Sequence, residues 1–332
     1  MMEMTSFLVC PKCRGKLEGT STAFRCKTCD RDYPLVDGVP QFDHPKSPNA
    51  ANGDGGRDDR RKYWDLGWQA RFEGDHAFLA ALKSRADWSR YLEQEMKSLG
   101  ANRHVLAVEA DRQTVHEKIV LDIGCGSGTS GALFGYHGAH YIGIDHSPYA
   151  AACALRHVRG VGADGFAVQG NAETLPIRDS SVDVVYSNGV LHHTPNFLTA
   201  MDEAYRVLKP GGHAIIALYS TYSTQFGLMR LAGVIRGNLS ARAIQRWMGA
   251  ASEGAWRTGN RLNPWTQTFS KAQLREVVRK YNVQGLTIRK NGQPIAEIPF
   301  FGSRLAPLPG IRRIDRVLEP LLGGMLVMSF TK

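Results

Sequence analysis

Five short apolar runs recur through the middle of this chain, and each stops at or just before Gly, Asp or Asn. They are 118–124 (KIVLDIG), 139–147 (AHYIGIDHS), 166–173 (FAVQGNAE), 182–189 (VDVVYSNG) and 212–220 (GHAIIALYS), with helical segments between them. Strands this continuously apolar must be covered on both faces, and their alternation with helices implies parallel pairing. The expectation is therefore an α/β fold. The helix before the fifth run is legible in detail. Thr194-Pro195 opens it, Phe197, Leu198, Met201, Ala204, Tyr205 and Leu208 form its apolar stripe, and Lys209-Pro210-Gly211 closes it. Further on, Ser270 and Gln273 predict a capping box ahead of Leu274, Val277 and Val278. The runs 286–290 (LTIRK) and 325–332 (MLVMSFTK) read as two more strands.

The first run ends in LDIGCGSGTSG, which places Gly124, Gly126 and Gly128 between a strand and a helix. Glycine there permits a tight turn and close approach of backbone N–H groups to a ligand. A dinucleotide fingerprint would need glycine at 129, where this chain has Thr129. Asp145 ends the second run and can accept hydrogen bonds from both hydroxyls of a ribose. Loop and carboxylate together point to a cofactor containing a nucleoside.

The blocks VLDIGCGSG, GIDHS, GNAETLPIRDSSVDVVYSNGVLHH and RVLKPGG follow in that order. Over roughly 118–220 they resemble the class I S-adenosylmethionine-dependent methyltransferases, of the broad type 11 group. The resemblance implies a Rossmann-like, seven-stranded sheet with helices on both faces and its last strand antiparallel. It also implies a cofactor-binding set of Asp122, Gly124, Cys125, Gly126, Gly128, Asp145, His146, Asn171, Ala172, Glu173, Ser187 and Asn188. Within that set the glycine loop lies against the methionine portion, Asp145 holds the ribose, and Asn171–Glu173 flank the adenine. Ser187 and Asn188 lie near the transferred methyl. A sulfonium methyl is already activated, so a catalytic base is needed only when the acceptor must lose a proton. His192 and His193 are the candidates for that role, or else they pack at the start of the next helix. Cys125 and Cys153 read as small buried residues rather than nucleophiles.

Cys10, Cys13, Cys26 and Cys29 form two Cys-x-x-Cys pairs. Two such knuckles can present four thiolates tetrahedrally to structural Zn²⁺; the alternative is a redox dithiol. Over residues 7–42 the pattern, with Tyr33-Pro34 and Asp37-Gly38-Val39-Pro40, resembles the small zinc-binding subunit that activates several methyltransferases. Some bacterial rRNA guanine methyltransferases also begin with a four-cysteine ribbon, a resemblance that pulls toward RNA.

The expected organisation is a zinc-ribbon module at 1–42, a flexible linker at 43–62 and a methyltransferase domain at 63–332 with a lid-like insertion at 221–266. Neither a secretory signal nor an 18-residue apolar run is present, which together with the cysteine usage implies a cytoplasmic protein. Residues 220–332 hold 17 basic and 5 acidic side chains, whereas 1–60 hold 9 of each. The basic third suggests an anionic partner or a solvated surface. Three functions fit these features. The first is methyl transfer to a small, partly apolar acceptor, with Trp247, Trp256 and Trp265 lining a lid or packing in the core. The second is methylation of RNA, and the third is a non-catalytic scaffold. The balanced charge of the zinc module argues against an RNA grip. Arginines among aliphatic residues at 311–318 suit a lid helix, or a helix resting on an anionic membrane, better than a groove tracking phosphates.

Overall fold

The computed structural model describes residues 2–42, 55–72, 81–98, 112–235, 237, 263–295, 297–298, 302–305, 308 and 310–332. Four short strands open the chain: β1 (Leu17–Gly19), β2 (Ala23–Cys26), β3 (Arg31–Val36) and β4 (Val39–Pro40), each antiparallel to the next. Helices α1 (Gly55–Phe72), α2 (Arg85–Ser98) and α3 (Arg112–Val115) follow. The alternating region then runs β5 (Ile119–Ile123), α4 (Thr129–Tyr136), β6 (His140–Asp145), α5 (Pro148–Gly160), β7 (Gly165–Gln169), β8 (Val182–Asn188), α6 (Phe197–Val207) and β9 (Leu208–Tyr219). After it come α7 (Thr224–Ile235), α8 (Lys271–Val278), β10 (Gln284–Asn291), α9 (Gly302–Leu305), α10 (Ile311–Leu322) and β11 (Met325–Thr331).

The second sheet has the order β10-β11-β9-β8-β5-β6-β7. Strands β5 to β9 are parallel, and β11 runs antiparallel to both of its neighbours. All seven expected strands are present, including the reversed last one. Side chains alternate across the sheet as the pleat requires. Leu121, Ile142 and Val185 pack on one face with Leu274 and Val278 of α8. Val120, Tyr141 and Val184 pack on the other with Ala151 and Val158 of α5. The Ser270–Gln273 capping box forms as expected, and Ser147 caps α5 by accepting from Ala150 N at 3.1 Å. The helix before β9 starts at Phe197, with Asn196 rather than Thr194 at its cap position.

The zinc-ribbon module is built into this domain. Its Leu8, Phe24, Tyr33 and Phe42 belong to the same buried cluster as the β5–β8 core. Leu8 makes an antiparallel bridge to Ile177, and Gln41 makes a parallel bridge to Gln169 at the end of the sheet's edge strand β7. Phe42 N donates to Gln169 O at 2.9 Å, and Val9 N donates to Pro176 O at 3.0 Å. The module thus covers backbone that an edge strand would leave open to other chains. A polar latch reinforces the contact. Buried Glu203 on α6 accepts from Arg14 Nη2 (2.6 Å), from Arg206 Nε (2.8 Å) and Nη2 (2.9 Å), and from Leu175 N (2.8 Å).

The linker expectation needs one correction. Helix α1 begins at Gly55, so the last eight residues of the expected tether are helical, while 43–54 lie outside the described residues. Helical stability comes largely from packing, and α1 gains it downstream of its polar start, where Tyr63 and Gly67 are buried. Helix α7 lies in the expected insertion at 221–266, of which 236 and 238–262, with Trp247 and Trp256, lie outside the described residues.

Candidate functional site

Parallel strands deliver their loops to one end of a sheet, and ligands bind there. A cavity of about 420 Å³ lies at this end. Its lining includes Asp122, Gly124, Cys125, Gly126, Asp145, His146, Asn171, Ala172, Glu173 and Asn188, so most of the expected cofactor set converges on it. Gly128 and Ser187 do not line it. An added Cβ at Gly128 would lie 2.3 Å from Ala154 Cα, so this glycine serves the packing of α4 on α5. Ser187 is fully buried and donates to Ile123 O at 2.9 Å. At Gly124 a Cβ would meet the Val190 side chain at 2.3 Å, so crowding by protein already demands glycine in the loop.

Asp145 sits at the end of β6. Its Oδ2 accepts from Gly126 N and its Oδ1 from Ser147 N, both at 2.9 Å. A carboxylate offers about four acceptor positions, so these bonds do not exhaust it. Burial pushes the carboxyl up to about 6 despite the backbone hydrogen bonds of Ser147, Gly126 and His146. Asp122 is pushed by burial to about 7, against the hydrogen bond of 3.0 Å that it accepts from Tyr141 OH. Asn171 Oδ1 accepts from Glu173 N at 2.9 Å, and the Glu173 carboxylate in turn accepts from Asn196 N (3.1 Å) and Nδ2 (2.9 Å). This chain of contacts ties the 171–173 turn to the start of α6.

The two histidines part company. His193 lines the cavity, and its Nδ1 is 3.0 Å from both Trp265 O and Asn263 Nδ2. His192 does not reach the cavity. It is fully buried, and burial holds it neutral, well below the usual histidine range. Its Nδ1 accepts from Tyr219 N at 3.3 Å, so it supports the backbone at the end of β9. Cys125 and Cys153 are buried as expected, and burial raises the Cys125 thiol well above its usual range. Reading along the chain missed the wall supplied by α1 and α2, namely Arg60, Trp64, Trp68 and Glu95, and also Tyr186, Tyr219 and Met325. Trp64 and Trp68 lie on α1, and no local signal in the sequence aims a helix at a cavity. Asp65 anchors that wall by accepting from Ser147 Oγ at 2.6 Å and Tyr149 N at 3.2 Å.

The residues fit an adenosyl ligand on two counts. The cavity is of ligand size, and Asn188, on its lining, has a buried Oδ1 with no hydrogen-bond partner among the described residues. The four module cysteines likewise fit zinc. All four Sγ atoms lie within 4.8 Å of one another, with Cys10–Cys29 at 3.5 Å and Cys13–Cys26 at 3.4 Å. Tetrahedral thiolates about 2.3 Å from a zinc ion would stand about 3.8 Å apart. Each knuckle closes through a left-handed residue after its second cysteine, Arg14 (φ 60°) and Asp30 (φ 51°).

Residues 121–216 match the family model described as a methyltransferase domain. The chain carries a methyltransferase domain. Residues 3–38 match a second model, that of Trm112p-like proteins. An uncharacterized methyltransferase of Mycolicibacterium vanbaalenii is 36% identical over 110 residues, covering 32% of this chain and 41% of its own length. A sterol methyltransferase-like protein of Botryococcus braunii is 35% identical over 108 residues, covering 32% of this chain and 27% of its own. The chain thus spans less than half the length of either relative. A SAM-dependent methyltransferase from Thermotoga maritima is 18% identical, with a TM-score of 0.48, covering 80% of this chain and 98% of that one. The methyltransferase domain and the Trm112p-like domain are therefore the two parts that the fold joins through β7 and Glu203.

Proposed function

We propose that the chain transfers the methyl group of S-adenosylmethionine to a small acceptor with an apolar portion. The observation that carries this reading is the mixed lining of one cavity. Asp145 and the Asn171–Glu173 turn line it together with Trp64, Trp68, Tyr219 and His193. The polar residues suit an adenosine, and the aromatic ones suit an apolar acceptor. One relative bears a sterol methyltransferase name, in keeping with such an acceptor.

When bound, S-adenosylmethionine would supply an electrophilic methyl group on a positively charged sulfur. Asp145 would hold the ribose hydroxyls, Asn171 to Glu173 would flank the adenine, and Asn188 would lie near the reacting end. The tryptophans of α1 would exclude water. His193 is the residue set to take an acceptor proton. Its Nδ1 is taken up by Trp265 O and Asn263 Nδ2, so Nε2 is the nitrogen that would take the proton. His192 is withdrawn from that role.

Affinity for S-adenosylhomocysteine should depend on the charge of Asp145. Asp145→Ala should weaken binding by about 1–3 kcal/mol, the cost of unmade charge-assisted hydrogen bonds. The folded ligand-free carboxyl is raised to about 6, so it is charged above that pH and protonated below it. Binding should be full above pH 6 and weaken about tenfold per unit below it, and Asp145→Asn should flatten this slope. Calorimetry at pH 5, 6 and 7 reads the effect; a wild-type slope retained in the Asn variant would mean that the ribose is held elsewhere.

The acceptor class is tested by incubating the protein with methyl-tritiated S-adenosylmethionine and a cell extract split into lipid, polar-metabolite and RNA fractions. Label in the lipid or weakly polar fraction is expected. Label confined to RNA would promote the rRNA reading. Failure to bind the cofactor at all would leave a scaffold.

A further inference from the structure

Helix α10 is packed inside out. A surface helix ordinarily turns its apolar stripe inward. Here the acidic side faces the protein: Asp315, only 7% exposed, accepts from Ile295 N at 2.7 Å, and Glu319 accepts from Gly292 N at 3.1 Å. The outward side carries Ile314, Val317 and Leu321, which are 48%, 74% and 69% exposed. Their spacing of three and four residues aligns them along one ridge. Arg312, Arg313 and Arg316 on the same helix are exposed as well; at about 100° per residue Arg313 flanks the ridge and the other two lie further round the helix. Helix α7 has the same character. Phe226 and Gly233 are buried, whereas Leu231, Val234 and Ile235 are 55%, 59% and 76% exposed.

The two helices are tied together and to the cavity. Lys290 Nζ donates to Tyr222 O just before α7 and to Leu321 O in the last turn of α10. Tyr219, five residues before α7, pairs with Met325, three residues after α10, and both line the cavity. Two outward aliphatic faces, that of α10 on a helix with three exposed arginines, therefore meet the protein next to the cavity wall.

We propose that the outward faces of α7 and α10 form a docking surface for an anionic lipid bilayer, with the cavity at its border. Charge complementarity selects this occupant. The last third of the chain holds 17 basic and 5 acidic residues. Aliphatic side chains flanked by arginine match a headgroup boundary, where apolar groups enter the acyl layer and cations meet lipid phosphates. Among the described residues no helix is long and apolar enough to cross a membrane, so the contact is peripheral. The proposal uses the apolar-acceptor reading only for its purpose, since a bilayer would store such an acceptor beside the cavity.

The test is flotation of the full zinc-loaded chain with phosphatidylglycerol-containing vesicles and with pure phosphatidylcholine vesicles, at 100 and 500 mM salt. The protein is expected to float with the anionic vesicles at low salt and far less with neutral vesicles or at high salt. Arg312→Gln/Arg313→Gln/Arg316→Gln should lower the partition about a hundredfold, at roughly fivefold per arginine. Leu231→Glu/Val317→Glu should abolish it while leaving S-adenosylhomocysteine affinity unchanged, which also reports that the variant is folded. The arginine triple variant keeps the test open if the glutamates unfold the chain. No flotation, equal binding to both vesicle types, or variants that float like wild type would overturn the proposal. So would a dimer that the glutamate variant splits without any vesicle binding, or retention by total RNA at 150 mM salt in its place. Because flotation is read without turnover, this surface and the acceptor reading can fail separately.

Discussion

Protein purified without added metal will contain about one equivalent of zinc, and Cys26→Ser will lose both the metal and the fold of the first forty residues. The four strands of the module are short, and a unit of this size rarely stays folded on its own core. Structural zinc supplies about 10–16 kcal/mol in small zinc-finger modules, as much as the whole net stability of a typical domain. The loss will not stay local. Leu8, Phe24, Tyr33 and Phe42 share a core cluster with Leu121, Ile142 and Phe166. Chelation should therefore expose apolar surface of the methyltransferase domain and lower its melting temperature together with that of the module. Metal analysis and calorimetric melting before and after a chelator read both effects. Zinc-free protein with four titratable thiols and an unchanged melting profile would refute the assignment.

Glu203→Ala should cost about 1–3 kcal/mol, because it leaves buried Leu175 N without its acceptor and removes one of the two carboxylates paired with Arg206, which keeps Asp179. Arg14→Ala should cost less, since the Arg14 side chain is 37% exposed and can find water. The double variant should show coupling, because the two residues share one contact. For Glu203, burial is the largest influence and would raise its pKa, but the hydrogen bonds and charges of Arg206 and Arg14 outweigh it and hold the group below the usual glutamate range. A folded-state pKa below the unfolded value of about 4.3 means that this stabilisation is present above that pH and lost as pH falls further. Denaturant melts at pH 7 and pH 3.5 separate the cases: the gap between wild type and Glu203→Ala should narrow in acid. A constant gap would mean that the variant loses packing rather than charge.

The strands could be read from the chain because a parallel sheet covered on both faces leaves aliphatic runs with abrupt glycine or acidic ends, as in 118–124 and 139–147. The zinc ligands could be read because two-residue spacing within each pair is what a knuckle requires. Pairing between distant segments leaves no such trace. Nothing near Leu8 announces Ile177, and nothing near Gln41 announces Gln169. The cavity wall from α1 escaped for the same reason. Trp64 and Trp68 lie far in sequence from the glycine loop, and Asp65, which fixes the wall to Ser147, reads locally as one more surface acid. The histidine pair shows a finer limit. His192 and His193 are adjacent and chemically alike, yet a tight 3₁₀ turn over Leu191–His193 sends one into the core and the other to the cavity.

The bridge from Leu8 to Ile177 also orders events during synthesis. The zinc-ribbon module leaves the ribosome well before its docking strand does. At roughly 5–20 residues per second, the intervening chain takes on the order of ten seconds or more to emerge. Metal capture can therefore finish while Phe7, Leu8 and Phe42 still face solvent, and the module then waits as a ready-made template for the β7 edge. The nascent chain carries its own holding surface, so the parallel sheet, slow to pair because its contacts are distant, closes against a partner that is already folded.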